Sequence, residues 1–248
     1  MSKVFNHPAR LIPLAFLVAA LVGTALLSTP WARADSGQPA PLLTALFTSV
    51  SATCITGLTV VDTATYWTVF GQVVILVLVQ IGGFGIMTLA TLAAVLVTGR
   101  MGLRSSLTVQ TESHTLNLGE LRGVIATVVI MMMSLEALMA VVISARLRSA
   151  YDHTLGTAIW HGVFHAVSGF NNSGFTLYSD SLVGFSGDVT ILAAMMFLIV
   201  AGGVGFPVFH EVSTHWRRPR DWSMHTRVTM IGYMGLLVLG VFGVALFE

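Results

Sequence analysis

The chain has 248 residues, 55% of them hydrophobic and only 9% charged, with a mean hydropathy of +0.84 and a formal net charge of +1. A soluble domain carries roughly 25% charged residues, so this composition excludes an ordinary water-soluble enzyme and reads as a membrane protein; the apolar runs that follow make the expected fold all-α. The balanced charge gives no footing for nucleic acid, and the single cysteine, Cys54, excludes an intrachain disulfide or a cysteine-based metal cluster.

From the N-terminus, Leu11 to Thr29 carries no charge and follows Lys3 and Arg10. That is the pattern of a secretory signal or of a first membrane helix. Ala32-Arg33-Ala34 has the small residues of a cleavage site, which keeps a secreted or anchored binding protein as an alternative. The length of the run, near the ~30 Å hydrocarbon thickness at ~1.5 Å per residue, favours an uncleaved helix. Leu42 to Ala52 is too short to cross a bilayer and fits a re-entrant half-helix. It leads into the hydroxyl-rich stretch Ser51-Ala52-Thr53-Cys54-Ile55-Thr56-Gly57-Leu58-Thr59. Thr68 to Thr98 is a full span interrupted by Gln72, Gln80 and Gly82-Gly83-Phe84-Gly85.

A polar segment with Arg100, Arg104, Glu112, His114, Glu120 and Arg122 follows, and Gly123 to Ser144 spans next, carrying Glu136 as an intramembrane carboxylate. Arg146 to His153 is expected as a polar mouth. Leu155 to Val167 is a second half-length helix, followed by Ser168-Gly169-Phe170-Asn171-Asn172-Ser173-Gly174-Phe175, and Asp188 to Phe209 is expected to span back. After the basic Trp216-Arg217-Arg218-Pro219-Arg220, Val228 to Phe247 forms a last span.

Laid side by side, these segments predict one unit twice over. Gly57 pairs with Gly174 at an offset of 117 residues, and Gly82-Gly83-x-Gly85 with Gly202-Gly203-x-Gly205 at 120. The expected organisation is a membrane helix–pore helix–membrane helix unit over 1–98, a cytoplasmic linker over 99–121, a second unit over 122–210, a linker over 211–227, and over 228–248 the first helix of an incomplete third unit. With the N-terminus cytoplasmic, nine of the twelve cations fall inside, among them Arg10, Arg122, Arg217 and Arg227, as the positive-inside rule requires. Both polar loops then open to the outer face.

A half-helix ending at mid-membrane directs the negative end of its dipole and its free carbonyls at the bilayer centre, where a cation gains. A glycine in the returning loop permits backbone angles that turn carbonyls inward. Two such loops are too few for a closed ring.

Ser51 to Thr63, Phe70-Gly71-Gln72 and Gln80 to Thr88 closely resemble the first repeat of the Ktr/Trk/HKT superfamily of potassium transporters, nearest the Ktr membrane subunit. Phe164-His165-Ala166-Val167-Ser168, Phe170 to Phe175 and Gly202-Gly203-Val204-Gly205-Phe206-Pro207 resemble its second repeat. The resemblance implies four such repeats around one K⁺ path in the cytoplasmic membrane, with Cys54, Ile55, Thr56 and Gly57, and Asn171, Asn172, Ser173 and Gly174, lining a filter through their backbone carbonyls. It further implies a membrane dimer on a cytosolic nucleotide-binding regulatory subunit. The ion carried is K⁺, and no organic cofactor is expected. Because the sequence stops within a third repeat, the expectation is a truncated or split half that pairs with a complementary half or with a second copy; a non-conducting regulatory or vestigial half is the alternative.

Other patterns are weighed against this one. His161 and His165 stand four apart, a metal spacing without a third ligand nearby, and fit pore-helix packing better. His210-Glu211-Val212-Ser213-Thr214-His215 spaces its histidines five apart, which takes them off one helix face and away from protease zinc geometry. Asn171-Asn172-Ser173 is a glycosylation acceptor in form only. Glu136 is either an ion-path group or a hydrogen-bonded side chain between packed helices. The glycine pairs are expected as close-packing or kink sites.

Overall fold

The structure, a computed structural model, describes residues 8–35, 37–86 and 118–247. The expected linker as far as residue 117, and residues 87–98 of the second apolar run, lie outside the described residues. Within them the chain is helical, with no strand beyond an isolated bridge between Arg33 and Trp67.

Helix α1 runs Pro8–Leu27, α2 Leu42–Thr53, α3 Thr63–Tyr66 and α4 Val69–Ile86. Beyond the gap come α5 Leu118–Ala150, α6 Leu155–Phe170, α7 Val189–Val204, α8 Phe206–His215 and α9 Met224–Phe247. By length and composition α4, Ala126–Ala150 of α5 and α9 can each cross a membrane.

Two expectations change. Asp188 to Phe209 is not one straight span: α7 and α8 meet at 104°. The break falls at Gly205, whose φ of 83° no helix accommodates, and Pro207 opens the next helix where its missing N–H costs nothing. Arg146, expected in a polar mouth, belongs to the last turns of α5, which continues to Ala150.

Small residues let the helices approach closely. At α1 and α2 the Ser49 hydroxyl donates to the Ala20 carbonyl at 2.7 Å. At α5 and α6 a side chain on Gly162 would overlap the Ser144 hydroxyl. Two apolar cores result. One joins α5, α6 and α7 around Met132, Ile143, Leu147, Phe170 and Leu198. The other joins α1, α2 and α4 around Leu27, Trp67, Ile75 and Val79, and it is filled from the far half by Phe164, Val167, Phe175 and Leu177. Helix α6 therefore serves both.

Asp188 starts α7. One carboxylate oxygen accepts the backbone N–H groups of Thr190 and Ile191, and the other accepts Arg146 Nε at 2.7 Å and the Tyr151 hydroxyl at 3.1 Å. Burial pushes its pKa up, but these four donors outweigh it and hold the carboxyl below its ordinary value. Its contribution to stability is therefore complete above the unfolded carboxyl value near ~3.9 and disappears as pH falls through the lower folded value. Asp188→Ala is expected to lower the unfolding midpoint in detergent by about 3 °C at neutral pH. The difference from the parent chain should close as the pH is taken below the folded value.

Candidate functional site: two apposed loops

The loops that follow α2 and α6 are built alike, hydrogen bond for hydrogen bond. After α2, Cys54 N–H donates to Val50 O at 2.8 Å and Thr56 N–H to Ser51 O at 2.9 Å. After α6, Asn171 N–H donates to Val167 O at 3.1 Å and Ser173 N–H to Ser168 O at 2.9 Å. The Ser51 hydroxyl reaches forward to Leu58 O, and the Ser168 hydroxyl to Phe175 O. Each helix thus bonds its own exit strand, which supplies partners for backbone that neither helix nor sheet would satisfy.

The turns also match. Ile55 and Asn172 take left-handed φ values of 57° and 55°, and Gly57 and Gly174 follow at 69° and 76°. A left-handed conformation costs an L residue about 1–2 kcal/mol. Asparagine offsets part of that cost by local hydrogen bonding, whereas the β-branched Ile55 does not. The Asn172 amide, turned to suit its neighbours, donates to Ile199 O at 3.3 Å and accepts Gly203 N–H at 3.2 Å.

The loops meet at their glycines. A Cβ on Gly57 would stand 2.2 Å from Ser173 O and 3.2 Å from Gly174 Cα. Behind each loop a glycine of the following helix lies against the last carbonyl of the half-helix: Gly82 against Thr53 O and Gly202 against Phe170 O. The glycine pairs are close-packing sites on this geometry, and Gly205 is the kink.

On one side the glycines border a recess of about 490 Å³ lined by Thr59, Asp62, Thr63, Thr176 and Ser179. The Ser179 hydroxyl donates to Asp62 and, with the Ala64 and Thr65 bonds, keeps its carboxyl below the ordinary value although burial opposes this. The recess therefore holds a carboxylate and hydroxyl oxygens at neutral pH, an environment that concentrates cations.

Of the predicted site residues, the structure brings Gly57, Ser173 and Gly174 into contact, with Ile55 and Thr56 preceding Gly57 in its turn. The Cys54 thiol is exposed. Glu136, 3% exposed, lies against Asn171 at 3.1 Å and Gln80 at 2.9 Å. His165 and His161 form no metal pair: His165 Nδ1 donates to His161 O at 2.7 Å, leaving Nε2 to accept the Thr176 hydroxyl at 3.0 Å. Among the described residues no cluster of three His, Cys, Asp or Glu could hold a metal ion.

A sequence model of TrkH, described as a cation transport protein, matches residues 16–246. The chain belongs to the TrkH family. It is 35% identical over 241 residues to the Ktr system potassium uptake protein B of Bacillus subtilis (strain 168), covering 97% of this chain and 53% of that protein. It is 33% identical over 237 residues to the potassium/sodium uptake protein NtpJ of Enterococcus hirae, covering 95% and 51%, and 33% identical over 242 residues to the Ktr system potassium uptake protein B of Vibrio alginolyticus, covering 96% and 52%. The chain spans about half the length of these curated relatives.

Sequence reasoning singled out His165, Asn172 and Gln72 but not the contacts by which they support this candidate site. His165 fixes the strand leaving the second loop. Asn172 is tied to α7. Gln72 accepts Trp160 Nε1 at 2.9 Å and joins the two halves. Gln72 and Gln80 are visible as polar breaks in an apolar run; their partners, 88 and 56 residues away, have no local signature.

Proposed function

We propose that the chain takes up K⁺ across the cell membrane through a filter to which it contributes two of four walls. The observation that carries this reading is the apposition of two loops of matching turn geometry, glycine to glycine, each at the C-terminal end of a half-length helix. Both helix dipoles present their negative ends there. Backbone carbonyls of Cys54, Ile55, Thr56 and Gly57, and of Asn171, Asn172, Ser173 and Gly174, replace the hydration shell of the ion, and Asp62 raises its concentration at the outer recess. The two units are repeats of one design, with the N-terminus cytoplasmic. K⁺ is cargo, carried passively, and no organic cofactor takes part.

The remaining walls come from two further loops of the same design, and a cytosolic nucleotide-binding subunit of Ktr/Trk type regulates the assembly. Family membership and relatives described as potassium uptake proteins support the choice of ion.

The test is growth of a K⁺-uptake-deficient strain at low external K⁺, with the chain expressed alone or together with a chain bearing two further loops. Rescue in either arm, with K⁺ influx exceeding Na⁺ influx, is the expected result. Membrane-inserted protein that rescues in neither arm would overturn the reading.

A further inference from the structure

We infer that Glu136 is a positioning residue for the second filter loop, holding the Asn171 amide through its carboxylate and so setting the ion discrimination of that wall. The inference rests on the filter reading above, and it assigns Glu136 no contact with the ion.

Three elements converge on one side-chain nitrogen. Asn171 Nδ2 lies 3.1 Å from Glu136 Oε1 on α5, 3.2 Å from Gln80 Oε1 on α4 and 2.8 Å from Val167 O one turn back in α6. Glu136 Oε2 accepts Gln80 Nε2 at 2.9 Å, which closes the triangle. An amide nitrogen has only two hydrogens, so three acceptors around it fix the amide with nitrogen inward. Asn171 Oδ1 is then left buried without a hydrogen-bond partner, against Gly83. A Cβ on Gly83 would stand 1.6 Å from that oxygen, so the amide fits only because α4 carries no side chain there.

Leaving a buried oxygen unpartnered is costly, so the orientation persists because acceptors outnumber alternatives on the other side. Asn171 is also the residue that ends α6 and begins the loop, one position before the left-handed Asn172. Its rotation is transmitted to the carbonyls of residues 171–174. Among the described residues, Cys54, the counterpart in the first loop, is exposed and has no such anchor. Beyond the hydrogen bonds the two loops share, the second wall therefore has a side-chain anchor that the first lacks.

The decisive variants keep volume and move hydrogens. Glu136→Gln must present an NH₂ where one of two amide donors now finds an oxygen, and one bond of the triangle is lost. Combining Glu136→Gln with Gln80→Glu exchanges the two groups between α5 and α4. The carboxylate, now on α4, accepts from Asn171 and from the amide introduced on α5, whose oxygen accepts from Asn171 in turn, and all bonds are restored. In cells expressing equal amounts, Glu136→Gln should reduce the preference for K⁺ over Na⁺ influx about tenfold, the upper end for one hydrogen bond, and the double exchange should return it. In the purified chain, amide hydrogen exchange should quicken over 171–175 in the single variant, stay unchanged over 54–58, and return to the parent rate in the double variant.

An unchanged exchange rate at 171–175 in Glu136→Gln overturns the positioning role whether or not the chain conducts. Quickened exchange with unaltered discrimination overturns its link to selectivity. Absence of cation influx with the parent chain in both arms of the growth test counts against the filter reading, while the exchange result still judges the anchor.

Discussion

Gly57→Ser is expected to abolish K⁺ uptake, with a loss of about 100-fold or more, while Gly174→Ser loses only about tenfold. Both glycines have φ values that an L residue adopts at about 1–2 kcal/mol, roughly tenfold in an equilibrium by itself. They differ in what a new side chain meets. At Gly57 the Cβ would lie 2.2 Å from a main-chain oxygen, Ser173 O, which no rotamer change can move aside; at Gly174 the nearest atom is Gly57 Cα at an ordinary 3.5 Å. Displacing Ser173 O moves a proposed filter carbonyl directly. The measurement is initial K⁺ influx per unit of membrane-inserted protein, and equal losses in the two variants would show that backbone conformation alone governs both positions.

Gly202→Ala is expected to destabilise the chain by about 3 kcal/mol, the upper end of what overpacking costs. Its Cβ would stand 1.7 Å from Phe170 O, and that of Gly82→Ala 2.2 Å from Thr53 O. In both cases the obstacle is the final carbonyl of a half-helix, so relief requires moving the helix end and the loop with it. Gly232 on α9 is the control, since nothing lies within 4 Å of its added Cβ; alanine there should be neutral or slightly stabilising because it is the better helix former. Thermal unfolding in detergent ranks the three, and a Gly202→Ala midpoint equal to that of Gly232→Ala would refute the close approach.

Much of the design is legible in one dimension because membrane insertion simplifies the code. Long apolar runs have few interpretations, half-length runs fewer, and two Gly-terminated hydroxyl-rich loops at a constant offset announce a shared local structure. The loop hydrogen bonds follow the same logic: Ser51 and Ser168 occupy matching positions and make matching bonds. The angle between α7 and α8 is partly written in Gly205 and Pro207, yet the apolar pattern continues through it, since such a pattern reports burial and not direction. The joins between halves are not legible. Asp62 meets Ser179, Gln72 meets Trp160 and Gln80 meets Glu136 across 117, 88 and 56 residues. Each pair consists of residue types that also stand alone on surfaces, so nothing local marks them as partners.

The sharing of α6 between two cores has a consequence for biogenesis. Synthesis proceeds from the N-terminus, and membrane helices insert as they emerge, but the packing around Leu27, Trp67 and Ile75 is incomplete until Phe164, Val167, Phe175 and Leu177 arrive. The first half is therefore expected to stay loosely packed until the far half has been made. Its quality control therefore acts late, and a nascent chain arrested before Leu177 should remain sensitive to membrane proteases although all of its early helices are in place.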